Sequence, residues 1–145
     1  MKDSQITLVQ SSWHYAMQDQ DRFISIVYDN LFEISPKTRL LFKRNLKMQQ
    51  KKIMTTLGAT IDSLDDPGSI MYDLIPIGMR HSDYNVSQED FANFRTALLK
   101  AIKTILQDEY TAALEEAWIA IYKFIMDTMC SAMRASVNYR TKSDM

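Results

Sequence analysis

Residues 28–42 read YDNLFEISPKTRLLF, and the rest of the chain is organised around what they imply. Their first half continues an amphipathic helix running from residue 22 to about 33. Ile24, Tyr28 and Leu31 fall on one side of it, and Phe23, Val27 and Leu31 on an adjoining one. Ser35 followed by Pro36 is a helix cap with proline at the first helical position. A short helix therefore opens at Pro36 and ends in Leu40, Leu41 and Phe42. A helix, a sharp corner and a second helix leave no strand here.

The same period continues on both sides. Upstream, Ile6, Val9, Trp13 and Met17 form one stripe, with Asp3 or Ser4 as the expected cap. Downstream, the polar corner Lys43-Arg44-Asn45 leads into a long helix over 46–64. Its stripe runs Leu46, Gln49, Ile53, Leu57, Ile61, with Leu64 following. Gly58 inside that helix costs about 1 kcal/mol relative to alanine, which a close helix crossing would explain. Asp65-Asp66-Pro67-Gly68 is a turn. Ile70, Leu74, Ile77 and His81 then share a stripe that Pro76 interrupts. Ser87-x-x-Asp90 caps a helix bearing Phe91, Phe94, Leu98, Ile102 and Ile105. Thr111 caps the last, with Leu114, Trp118, Tyr122, Ile125, Met129 and Met133. The reading is all-α.

Composition agrees. The chain has 145 residues, 46% hydrophobic and 24% charged, which suits one globular domain. Three glycines and three prolines are too few for a many-stranded fold. A net charge of −1 offers no whole-protein basic field for nucleic acid or an acidic membrane. Two histidines and one cysteine leave little material for a metal site built from side chains alone. The single Cys130 permits no intrachain disulfide and is expected as a small buried core residue in a reducing cytoplasm. The start, MKDSQITLVQ, does not read as a signal peptide, and the longest apolar stretch, 117–122, is far short of a membrane span. Residues 1–137 form the expected domain, and 138–145 a polar C-terminal tail.

Two stripes carry a polar residue, Gln49 and His81. A buried polar group costs roughly 1–3 kcal/mol unless partnered. Taken singly, each is explained by a bond to a carbonyl or a water, and Tyr28 by an ordinary core position.

Their order along the chain adds something. SSWHYAM, YDNLFEISPKTRLLF, QQKKIMTTLG, RHSDYNV and LEEAWIAIY, in that sequence and at that spacing, resemble the motifs of the globin family. The likeness covers nearly the whole chain. It is strongest to bacterial single-domain globins and the haem domains of flavohaemoglobins, with some likeness to neuroglobin. It implies a globin fold, a three-over-three helical sandwich around a haem pocket, holding haem b (iron protoporphyrin IX). By this resemblance His81 is the proximal iron ligand. One axial imidazole is enough when the porphyrin supplies four nitrogens, so the shortage of histidines ceases to matter. Ile77 and Val86 would pack on the proximal face, Phe42 would wedge against the ring, and Phe91 would complete the pocket wall. Gln49 and Ile53 would stand on the distal side, with Tyr28 reaching in. Two donors, the Tyr28 hydroxyl and the Gln49 amide, imply tight O2 binding with discrimination against CO. Without a distal histidine, bis-histidine haem is not expected.

The departures are equally specific. Flavohaemoglobins buttress the proximal histidine with tyrosine and glutamate; those places hold Phe91 and Met133, leaving a backbone carbonyl or Ser82 to orient His81. Pro76 and Arg95 are also atypical. Lys43, Arg44, Lys47, Lys51 and Lys52 fall within ten residues containing no acid. Such a run is either a solvated face, a pairing site for haem propionates with Lys52 the favoured residue, or a docking patch for an acidic reductase. A further reading lets Lys52 ligate the iron when O2 is absent. His14 reads as surface. The expected function is reversible O2 binding, with NO, CO and cyanide as further haem ligands. NO dioxygenase activity would need a separate reductase. A haem-based gas or redox sensor acting through a partner is the alternative.

Overall fold

The computed structural model describes residues 2–42, 45–66, 68–70 and 87–143, with side chains as far as residue 131. Among them five α-helices carry the fold: α1 Asp3–Ala16, α2 Gln20–Ile34, α3 Leu46–Asp62, α4 Gln88–Leu106 and α5 Ala112–Ser143. The last continues into the stretch read as a polar tail, as far as Ser143. Short 3₁₀ segments, Met17–Asp19, Pro36–Leu41 and Gln107–Glu109, make the corners. The described residues contain no strand.

The caps show how local sequence sets these bounds. At α4, Ser87 Oγ accepts from the Asp90 N–H at 3.1 Å while Asp90 Oδ2 accepts from the Ser87 N–H at 2.9 Å. Both sides of the expected capping box are made. Thr111 Oγ1 accepts from the Leu114 N–H at 3.1 Å and starts α5. At α1 the cap is Lys2 rather than Asp3 or Ser4, and the Gln5 side chain accepts from its N–H at 3.3 Å. The segment opened by Pro36 is a 3₁₀ helix. Ser35 Oγ there accepts from Thr38 Oγ1 at 2.8 Å instead of from a backbone amide. Both hydroxyl residues are buried, so each satisfies the other.

The helices meet in two main seams. α2 lies along α4, tied by Asn30 Nδ2 donating to the Ala97 carbonyl at 3.3 Å. α1 lies against α5 and crosses α3, where Gln10 Nε2 donates to the Ile61 carbonyl at 3.0 Å. At that crossing a Cβ added to Gly58 would stand 3.0 Å from Trp13 Nε1. The close approach explains the glycine, whose helix cost the Trp13 packing offsets. Trp13 packs edge-on to Phe23 at 5.7 Å and beside Trp118 at 6.3 Å. Trp118 Nε1 donates to Ser12 Oγ at 2.9 Å, and Ser12 Oγ donates to the Val9 carbonyl at 2.9 Å.

Which face of α3 turns inward differs from expectation. Met54, Gly58 and Ile61 are buried, while Leu57 is half-buried and Ile53 remains 37% exposed. The α1 crossing selects the row through Gly58. The row Gln49, Ile53, Leu57 lies beside it and stays partly open. Cys130 is half-buried against the core rather than enclosed by it. His14 is on the surface as expected, with Nε2 2.7 Å from Asp62 Oδ1.

Candidate functional site

Along the α2–α4 seam, three phenylalanines pack around the ring of one tyrosine. The Tyr28 ring lies 5.5 Å from Phe42, perpendicular to it, and 6.0 Å from both Phe32 and Phe94. Phe32 and Phe42 meet edge-on at 5.8 Å, and the Arg39 guanidinium stands over Phe32 at 5.8 Å. Such edge-to-face contacts favour a fixed cage, each adding about 0.5–1.5 kcal/mol beyond area burial. Local sequence builds three walls of it. Tyr28 and Phe32 are one turn apart on α2, and the corner at Ser35-Pro36 folds Phe42 back over them.

Tyr28 is 1% exposed, and its hydroxyl has no hydrogen-bond partner among the described residues. It stands apart in this respect. The comparably buried Tyr122 donates to the Phe91 carbonyl at 2.7 Å, and Trp118 donates to Ser12. Desolvation by burial pushes the Tyr28 phenol well above its ordinary pKa, so it stays protonated and is a donor at any physiological pH. An enclosed donor without an acceptor costs about 1–3 kcal/mol, which a bound acceptor would recover.

The other expected site residues divide. Phe42 joins Tyr28 directly. α3 packs against α2 and brings Gln49 and Ile53 on its half-open row, and the Gln49 amide has no partner among the described residues. Phe91 is buried at the start of α4. Lys52 is exposed on α3 and forms no ion pair among the described residues. Ile77, His81 and Val86, with Pro76 and Ser82, lie outside the described residues. Phe32 and Phe94 are site residues that the sequence reading left unassigned. Phe94 follows Phe91 by three positions on a helix, and that spacing placed it on the same stripe.

The enclosed phenol, the aromatic walls and the half-open row of α3 suit a flat apolar group carrying a small polar ligand, as the resemblance implies. The family model for globins matches residues 25–129. The chain belongs to the globin family, and its described helices form the all-α globin fold. It is 26% identical over 136 residues to a neuroglobin of Dissostichus mawsoni, covering 84% of this chain and 86% of that one. It is 30% identical over 127 residues to a flavohemoprotein of Xylella fastidiosa, covering 86% of this chain but 32% of the relative. Neuroglobin-1 of Oncorhynchus mykiss is 24% identical over 148 residues, covering 92% of this chain. Family membership implies haem binding and gaseous haem ligands. No helix among the described residues is long and apolar enough to cross a membrane.

Proposed function

We propose that this globin holds haem b through His81 and binds O2 reversibly, with Tyr28 as the principal donor to the bound gas. Ferrous haem supplies the iron site at which a diatomic ligand binds and leaves. The observation that carries the reading is the Tyr28 hydroxyl: buried, protonated and without a hydrogen-bond partner among the described residues. Its place in the cage aims a donor while excluding water that would compete for it. Gln49 supplies a second amide donor from the half-open row. Phe42 and Ile53 give apolar contact to the ring, as Phe91, Ile77 and Val86 do from the proximal side, and Lys52 pairs with a propionate at the rim. Hydrogen bonds to a charged acceptor are worth about 1.5–3 kcal/mol, so Tyr28 slows O2 release by about 10- to 100-fold. CO, being less polar, gains much less. NO scavenging by the oxygenated protein, in the cytoplasm, would draw electrons from a separate reductase.

Absorption spectra of the purified protein, oxidised, reduced and in air, test the reading. A Soret band whose reduced form becomes oxygenated in air supports it. His81→Ala should abolish that spectrum; haem iron ligated unchanged in the variant would overturn the proximal assignment.

A further inference from the structure

Charge is distributed unevenly along the chain. Residues 34–61 hold seven of the 17 lysines and arginines and none of the 18 acids. The remaining residues carry ten cations against all eighteen acids. A net charge of −1 thus conceals a strongly basic corner on an acidic body.

That corner is the junction of the Pro36–Leu41 segment with α3. Phe42 and Asn45 are three peptide steps apart, at most about 11 Å, so the two elements lie close together. Lys37, Arg39, Lys47, Lys51 and Lys52 are all exposed there. None forms an ion pair among the described residues. Lys47 and Lys51 are one helical turn apart, as are Met48 and Lys52, so these four make a single face of α3. Met48 is 65% exposed and Leu40 is 76% exposed, the two most exposed large apolar side chains of the described residues. Unpaired cations close to the N-terminus of a helix oppose its dipole, so the patch is retained at a cost to stability.

We infer that this corner docks an acidic electron-carrier protein that returns ferric haem to the ferrous state. The inference rests on the haem reading above and adds the partner and the surface it uses. Apolar side chains within a charged rim fit a small transient interface steered by opposite charge. Position favours a redox partner over an anionic lipid surface. Gln49 and Ile53 lie on the same turns of α3 as the lysines, and Phe42 closes the segment bearing Leu40. A protein docked here is within a helix turn of the candidate site residues Gln49 and Ile53. Two protruding aliphatic side chains give little insertion energy for a membrane, which is marginal even with one acyl chain. In the step itself one electron leaves the carrier and reduces ferric iron to ferrous, and no bond is made or broken.

The probe is flavodoxin, an acidic one-electron flavoprotein. Reduction of the ferric protein by reduced flavodoxin is followed by stopped flow at rising ionic strength, with neutral photoreduced riboflavin as control. At low salt the paired substitutions Lys47→Glu/Lys51→Glu should slow flavodoxin-driven reduction by about tenfold or more and flatten its salt dependence, leaving the riboflavin rate unchanged. Leu40→Ser/Met48→Ser should slow it without altering the salt slope. In parallel, oxidised flavodoxin titrated into 15N-labelled protein should shift amide resonances within 37–52. Equal flavodoxin rates in the charge-reversed and parent proteins, or shifts confined to other helices, overturn the inference. So does sedimentation with phosphatidylserine vesicles when flavodoxin causes no shift. Shifts on this corner in a protein that takes up no haem would uphold the docking surface and overturn the haem reading, so the two fail separately.

Discussion

The α1 crossing and the Tyr28 cage are both aromatic and buried, yet they treat their polar atoms in opposite ways. At the crossing, Trp118 Nε1 hands its hydrogen bond to Ser12, and Ser12 hands its own to the Val9 carbonyl. In the cage, Tyr28 is as deeply enclosed as either tryptophan, and its hydroxyl has no hydrogen-bond partner among the described residues. A fold that completes its polar pairs in one region and leaves a donor open in another separates structure from function. The first region holds the helices together; on the proposed reading, the second keeps a hydrogen bond for a bound ligand.

Substitutions can break that contrast, beginning with the crossing. Trp13→Ala removes the side chain that meets Gly58, Phe23 and Trp118, and should cost about 3–5 kcal/mol in urea unfolding. Gly58→Val forces a side chain against the Trp13 indole and should cost about 1–3 kcal/mol. Ser12→Ala leaves a buried indole N–H without its acceptor and should cost a similar amount, about 1–3 kcal/mol. Tyr122→Phe forfeits one bond to the Phe91 carbonyl, about 0.5–1.5 kcal/mol. Tyr28→Phe should cost nothing in the ligand-free protein or stabilise it slightly, because the hydroxyl removed has no partner among the described residues. If it destabilises as Tyr122→Phe does, the hydroxyl is structural and the contrast fails.

A pH series sharpens the same comparison. Burial raises the Tyr28 and Tyr122 phenols well above their ordinary pKa of 10, and Tyr110 is pushed up to about 12 by desolvation and by Glu115. Above pH 10 the unfolded chain loses these protons while the folded chain retains them. Stability is therefore full below pH 10 and falls as pH rises through about 12. Urea midpoints at pH 8 and pH 11 should show the decline, and Tyr28→Phe and Tyr122→Phe should each make it shallower.

Much of this was legible in the sequence, for reasons local to each element. Ser87-x-x-Asp90 and Thr111 declared their caps because capping needs only a side chain within a few residues of its amide. Gly58 signalled a crossing, since glycine inside a helix needs a reason. The inward face of α3 was harder. The rows through Ile53 and through Met54 are both apolar, and only the position of α1 decides which is buried. The cage was half legible: Tyr28 and Phe42 belong to the motif at 28–42. Phe32, one turn after Tyr28 in the same motif, follows from helical spacing, whereas Phe94 becomes a wall only through the packing of α2 on α4, which no spacing within one helix reveals. That the Tyr28 hydroxyl finds no partner among the described residues is likewise a property of how the helices assemble.

The most direct test of the reserved hydrogen bond is the O2 dissociation rate of the ferrous protein, measured by stopped flow for the parent chain and for Tyr28→Phe. The rate should rise by about 10- to 100-fold in the variant, with CO dissociation changing far less. An unchanged O2 rate would contradict the role given to Tyr28 and return it to the structural core.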